Sequence, residues 1–210
     1  MSRIGCFLAI AALLAPSLAF AGVYDDMLNA ASNQDVGTVR DLLQRGVDVD
    51  TTDPEGNSLL MHSARNGDIP TLELLLAKNA KVLSKNKYGD SAVMLAALRG
   101  HLKSVVALFA AGAEVDPEGW TPLIYAAFEG HADIVRFLLT LDIDIDAQAE
   151  SGMTALMAAT RHGHLEIVRI LLEHGADRSL VDQHNSTAKD LAEKRNDVGI
   201  INELLKVERR

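Results

Sequence analysis

Two series of glycines, each recurring at nearly the same interval, constrain this chain more than any other feature. Gly56 and Gly89 stand 33 residues apart, Gly119 follows after 30, and Gly152 and Asn185 follow at 33 each. Gly67, Gly100, Gly130, Gly163 and Asn196 keep the same intervals, eleven residues behind the first series. Such a period marks one supersecondary unit repeated in tandem, and a unit of this size cannot bury its apolar face alone. After the first series come SLLMHSA, SAVMLAA, TPLIYAA and TALMAAT, each about two helical turns long. After the second come IPTLELLLAKNA, LKSVVALFAAGA, ADIVRFLLTLDI and LEIVRILLEHGA, whose leucines and valines recur at helical spacing. Each unit reads as helix, turn, helix, loop. Stacking removes the leucines from water at about 25 cal/mol per Å² of apolar surface.

The fourth unit, with Gly119-Trp120-Thr121-Pro122-Leu123, Ala126-Ala127, Gly130-His131, Ile134-Val135 and Leu138-Leu139, resembles the ankyrin repeat. The fifth does so equally, through Gly152-Met153-Thr154-Ala155-Leu156, Gly163-His164, Ile167-Val168, Leu171-Leu172 and Gly175-Ala176-Asp177. The resemblance implies an all-α ankyrin repeat solenoid of about six helix-turn-helix units joined by hairpin-like loops. The expected units are 24–52, 53–85, 86–116, 117–148, 149–181 and 182–210, the degenerate first and polar last closing the stack. Local chemistry agrees. Thr121 and Thr154 suit N-caps, and Pro122 and Pro70 suit first helical turns. Asn185 and Asn196 tolerate a left-handed backbone in place of glycine. Ala126, Ala127, Ala158 and Ala159 let helices approach. Gly112 to Gly119 spans seven residues where other units use ten, so the third loop finger is expected to be short.

At the N-terminus, Arg3, the uncharged run IGCFLAIAALL at 4–14 and the small-x-small Ala19-Phe20-Ala21 read as a signal peptide over 1–21, cleaved between Ala21 and Gly22. The expected product is a single ankyrin repeat domain, 22–210. The apolar run is shorter than the roughly 20 residues of a spanning helix, so no stable membrane insertion is expected after cleavage. The chain's one cysteine, Cys6, leaves with the peptide, which excludes a disulfide framework or Cys-based zinc site in the product. Twenty basic against 29 acidic residues, a net charge of −9, argue against a nucleic-acid partner. The expected location is the periplasm, with secretion as the alternative.

In the ankyrin family the loop fingers and the exposed side of the first helices form a concave face that commonly binds proteins. The matching positions here include Asp90, Trp120 and Met153 after the first glycines. Before the second glycines stand Arg65 and Asn66, Leu98 and Arg99, Phe128 and Glu129, and Arg161 and His162, with Tyr88 on a neighbouring finger. Trp120, the only tryptophan, is expected beside Phe128, Leu98 and Met153 as an aromatic anchor. The alternative is that Trp120 and Phe128 pack on the adjacent repeat across the shortened loop. Acidic fingers, including Asp48, Asp50, Glu114, Asp116, Glu118, Asp142, Asp144 and Asp146, would steer a basic partner surface.

Asp142, Asp144 and Asp146 alternate as in a calcium loop, but Ala147 and Met153 stand where that loop needs Gly and Glu. His162 and His164 could share a metal, yet His101, His131 and His164 occupy one repeat position that the family uses structurally. No phosphate-cradling loop, serine elbow or zinc-protease motif occurs. The expectation is therefore an exported, non-enzymatic monomer without cofactor or metal. Its expected partner is another protein, such as a periplasmic enzyme with a basic surface, which it would shield as an inhibitor or stabilise as a scaffold. The alternative is a secreted effector binding a host protein through the concave face.

Overall fold

The structure, a computed structural model, describes residues 15–116 and 118–206. Within them lie six pairs of helices: α1 Ala15–Ser32 and α2 Val36–Gln44; α3 Leu59–Asn66 and α4 Ile69–Ala77; α5 Ala92–Leu98 and α6 Leu102–Ala110; α7 Pro122–Glu129 and α8 Ala132–Leu138; α9 Ala155–His162 and α10 Leu165–Glu173; α11 Ala188–Lys194 and α12 Val198–Leu205. Each helix packs on its pair mate. The odd-numbered helices also stack in one row and the even-numbered in another. One continuous apolar core runs the length of the stack, with Leu60, Leu75, Leu108, Ile124, Leu138, Leu156 and Leu171 all but inaccessible. The alanines expected to allow close approach, Ala126, Ala127, Ala158 and Ala159, are fully buried.

The caps follow the residue chemistry. Thr121 and Thr154 accept the backbone N–H of Ile124 and Met157 at 3.2 Å each, and Pro122 occupies the first turn of α7. Asn185 and Asn196 adopt φ of 57° and 56°, taking the left-handed turns that glycine takes elsewhere. Asp35, Asp68 and Asp197 cap the second helix of the first, second and last pairs through their carboxylates. In the three middle pairs the same N-cap position is histidine, which makes no cap bond. Its ring turns instead to the preceding repeat.

A ladder results. The Nε2–H groups of His101, His131 and His164 donate to the carbonyls of Arg65, Leu98 and Phe128 at 3.1, 3.2 and 3.0 Å. Where aspartate has displaced the histidine, another residue takes over: Asn66 Nδ2 donates to Ser32 at 3.1 Å, and an Arg195 guanidinium N–H to Arg161 at 2.9 Å. Each carbonyl belongs to the end of a first helix, where intrahelical partners run out. Every pair in the stack is thus tied to the next by one bond that also satisfies an orphan acceptor.

The basic and apolar parts of the expected export signal, 1–14, lie outside the described residues. Within the described residues helix α1 runs from Ala15 through Ala21 and Gly22. No described helix is long and apolar enough to cross a membrane.

Candidate functional site

Between successive pairs the chain rises into fingers, and neighbouring finger tips are joined at the two ends of the row. The Lys87 N–H donates to the Glu55 carbonyl at 3.1 Å, and the Gln183 N–H to that of Ser151 at 2.8 Å. Contact at the fourth tip is so close that a Cβ on Gly152 would lie 2.9 Å from the Cα of Asp182. On both sides of the third finger this pairing fails: no backbone bond joins tip to tip among the described residues. Around Gly89 and Gly119 nothing lies within 4 Å of an added Cβ. The cause is length, since seven residues from Gly112 to Gly119 cannot reach as far as the ten of other units.

A cavity of about 520 Å³ opens in the gap. Tyr88 and Asp90 of the second finger form one wall, Glu150 and Ser151 of the fourth the other, and Glu118 lies at the edge of the short finger between them. Trp120, at the entry to α7, and Tyr125, within it, form the aromatic floor, with Met94 of α5 behind. The Trp120 and Tyr125 rings lie 4.9 Å apart at 42°, and Phe128 meets Trp120 edge-on at 5.4 Å. His162 continues the row, 3.8 Å from Phe128. Trp120 and Phe128 are half-buried and rest on the core. Packing on the adjacent repeat and presenting a face to the cavity are therefore not exclusive for Trp120.

The Tyr125 hydroxyl donates to Asp90 Oδ1 at 2.6 Å. Burial, and then the Asp90 carboxylate, raise the phenol well above its ordinary value, so it stays a donor. His162 is held below its ordinary value by partial burial and by His164 beside it, with Glu129 opposing. At the other end of the face, burial and the Arg65 guanidinium hold His62 low, against the pull of Asp53. His62 Nε2 lies 3.0 Å from Asp53 Oδ2. Burial opposes ionisation of Asp53, but the Asn57 amide and backbone N–H outweigh it and keep the carboxyl below its ordinary range.

The sequence-based assignments divide. Tyr88, Asp90 and Trp120 meet at the cavity, with Phe128 and His162 alongside. Arg65, Asn66 and Leu98 stand at first-helix ends and take part in the ladder. Arg99 and Glu129 are exposed, and Arg161 is drawn to the buried Asp182 at 3.4 Å. Met153 is a correction: only 6% exposed, it belongs to the core, because the fifth finger closes tightly over the fourth at Gly152. Tyr125 and Glu150 were not anticipated. Tyr125 is the one large aromatic at a first-helix position that holds His62, Leu95 and Ala158 in other units, which is a signal the sequence does carry.

Many finger acids have structural work. Asp50 accepts the Lys81 N–H at 2.9 Å, Asp116 that of Asp144 at 2.9 Å, and Asp146 that of Asp177 at 2.8 Å. Asp144 and Asp146 thus link successive fingers, and among the described residues no group of three acidic, His or Cys side chains is arranged to hold a metal.

The sequence profile described as ankyrin repeats (3 copies) matches residues 27–117, 84–149 and 142–209. Among curated proteins none matches the chain.

Proposed function

The chain belongs to the ankyrin repeat family, whose members generally mediate protein–protein interaction, and from that premise we propose that it binds a partner protein across its fingers and first helices, centred on the gap in the finger row. The observation that carries this reading is the aromatic pair Trp120 and Tyr125 lining the gap where the third finger stops short, with Phe128 edge-on to Trp120. Large aromatic side chains in a recess are the groups that dominate binding energy at protein interfaces. The family's members are typically binding scaffolds, and the reading gives this chain no catalytic part.

The signal-like segment, with Arg3, the apolar run and Ala19-Phe20-Ala21, supports export to the periplasm and a partner there. In that setting the protein acts on an enzyme, covering its active site or prolonging its folded lifetime. The test is capture from envelope extract by the full chain carrying a C-terminal tag, beside a Trp120→Ala, Phe128→Ala double variant. A protein retained by the native chain and lost by the variant supports the reading. Equal retention by both chains moves the site elsewhere, and fractionation of the native chain to the cytosol removes the periplasmic role.

A further inference from the structure

The walls of the gap set which chemistry it recognises. Asp90, Glu118 and Glu150 reach it from three different fingers. Among the described residues none of the three is within ion-pair distance of a lysine or arginine. Asp50, Asp116 and Asp146, by contrast, each accept a backbone N–H of the next finger. Glu118 and Glu150 are exposed and lie on the third and fourth fingers, whose tips no backbone bond joins to one another among the described residues. Lys87, next to Tyr88, does not line the cavity. The floor is formed by the Trp120 indole and the Tyr125 phenol, and Tyr88 stands at the rim, 75% exposed.

Resting on the protein-binding reading, we propose that this gap is a receptor for one arginine side chain projecting from the partner. A flat guanidinium stacks on Trp120 and Tyr125, where ring quadrupoles attract a cation. Its donors fork outward and reach carboxylates on opposite walls. The arginine stem is long enough to pass between two fingers while the partner's backbone stays at the tips. A lysine ammonium fills the same space less well, because it neither stacks nor bridges separated carboxylates.

Trp120, as the only tryptophan, reports on its own site. The full chain is titrated with the capped tripeptide Gly-Arg-Gly, with its citrulline counterpart, which keeps shape and loses charge, and with Gly-Lys-Gly. The expected result is a saturable change in tryptophan emission with the arginine peptide, in the millimolar range or tighter. The citrulline peptide binds about tenfold more weakly, as expected when charge-assisted bonds become neutral ones. The lysine peptide falls between, and rising salt weakens the charged peptides. A Glu118→Gln, Glu150→Gln variant binds the arginine peptide several-fold more weakly with an unchanged unfolding midpoint. Equal binding of arginine and citrulline, tighter binding of lysine, an emission change that never saturates, or a double Gln variant that binds like the native chain overturns the assignment. If that occurs while Trp120→Ala, Phe128→Ala still loses its captured protein, the arginine assignment falls and the protein-binding reading stands; if the capture also fails, both fall.

Discussion

A Cβ placed on Gly100 would lie 2.6 Å from Cε1 of His131, one repeat further along the chain. The ring cannot simply swing aside, because its Nε2–H is committed to the Leu98 carbonyl at 3.2 Å. Gly100 is therefore required twice, by its φ of +76° and by the ring lying on it. Gly67 bears the same relation to His101, Gly130 to His164, and Gly163 to Arg195. Gly112 has a comparable φ of +90° but no atom within 4 Å of its would-be Cβ.

That contrast separates backbone strain from lost coupling between repeats. Gly112→Ala is expected to cost about 1 kcal/mol, the left-handed penalty alone. Gly100→Ala is expected to cost about 2 kcal/mol or more, because the His131 bond, worth about 1 kcal/mol net, is lost with it. Urea unfolding of both variants, and of Gly100→Ala in a His131→Ala background, gives the comparison. The background should reduce the Gly100→Ala penalty to that of Gly112→Ala; an undiminished penalty would show that the ring is not the obstacle.

His62 gives the stack a pH dependence with a definite sign. Its folded-state value is depressed by burial and by Arg65, so the folded protein resists the proton that the unfolded chain takes up below about 6.5. Its contribution is fully present above that pH and is lost as pH falls through the folded value. Asp53, also depressed, contributes above the ordinary carboxylate value near 3.8, and its share is lost only at lower pH. The thermal midpoint should fall between pH 7 and 5, and His62→Gln should flatten part of that slope. A slope identical in the variant would assign it to other groups.

Tyr125 gives the opposite sign at the alkaline end. With its phenol raised by burial and Asp90, its contribution is complete below the unfolded value near 10 and is lost as pH rises toward the folded one. Absorbance titration of Tyr125→Phe should match the native chain up to the onset of alkaline unfolding. An earlier difference would show that the hydroxyl is free of Asp90.

The short third finger is testable by lengthening it. Inserting three residues between Gly112 and Gly119 restores the spacing of other units, and the new tip should meet the tips of the second and fourth fingers. Trp120 should then be quenched less by acrylamide than in the native chain. Unchanged quenching would mean that finger length does not open the cavity.

The repeat, its helices and its turn residues were legible in the sequence because they obey local rules: glycine or asparagine where φ is positive, threonine and proline at helix starts, apolar residues at helical spacing. The shortened loop could be counted directly, and Trp120 stood out as the one tryptophan in an exposed register. Met153 occupies the corresponding register in the next unit, yet it is buried. The difference between them lies in how closely the following finger closes, which depends on the lengths of two loops and their contact across space. The tertiary structure alone decided that Asp50, Asp116 and Asp146 serve their neighbours' backbones while Glu118 and Glu150 remain uncommitted, and that Tyr125 joins the floor of the gap. Local sequence specifies what one unit can form; which side chains stay available depends on stacking, because a residue's partners in a solenoid belong to the unit next door.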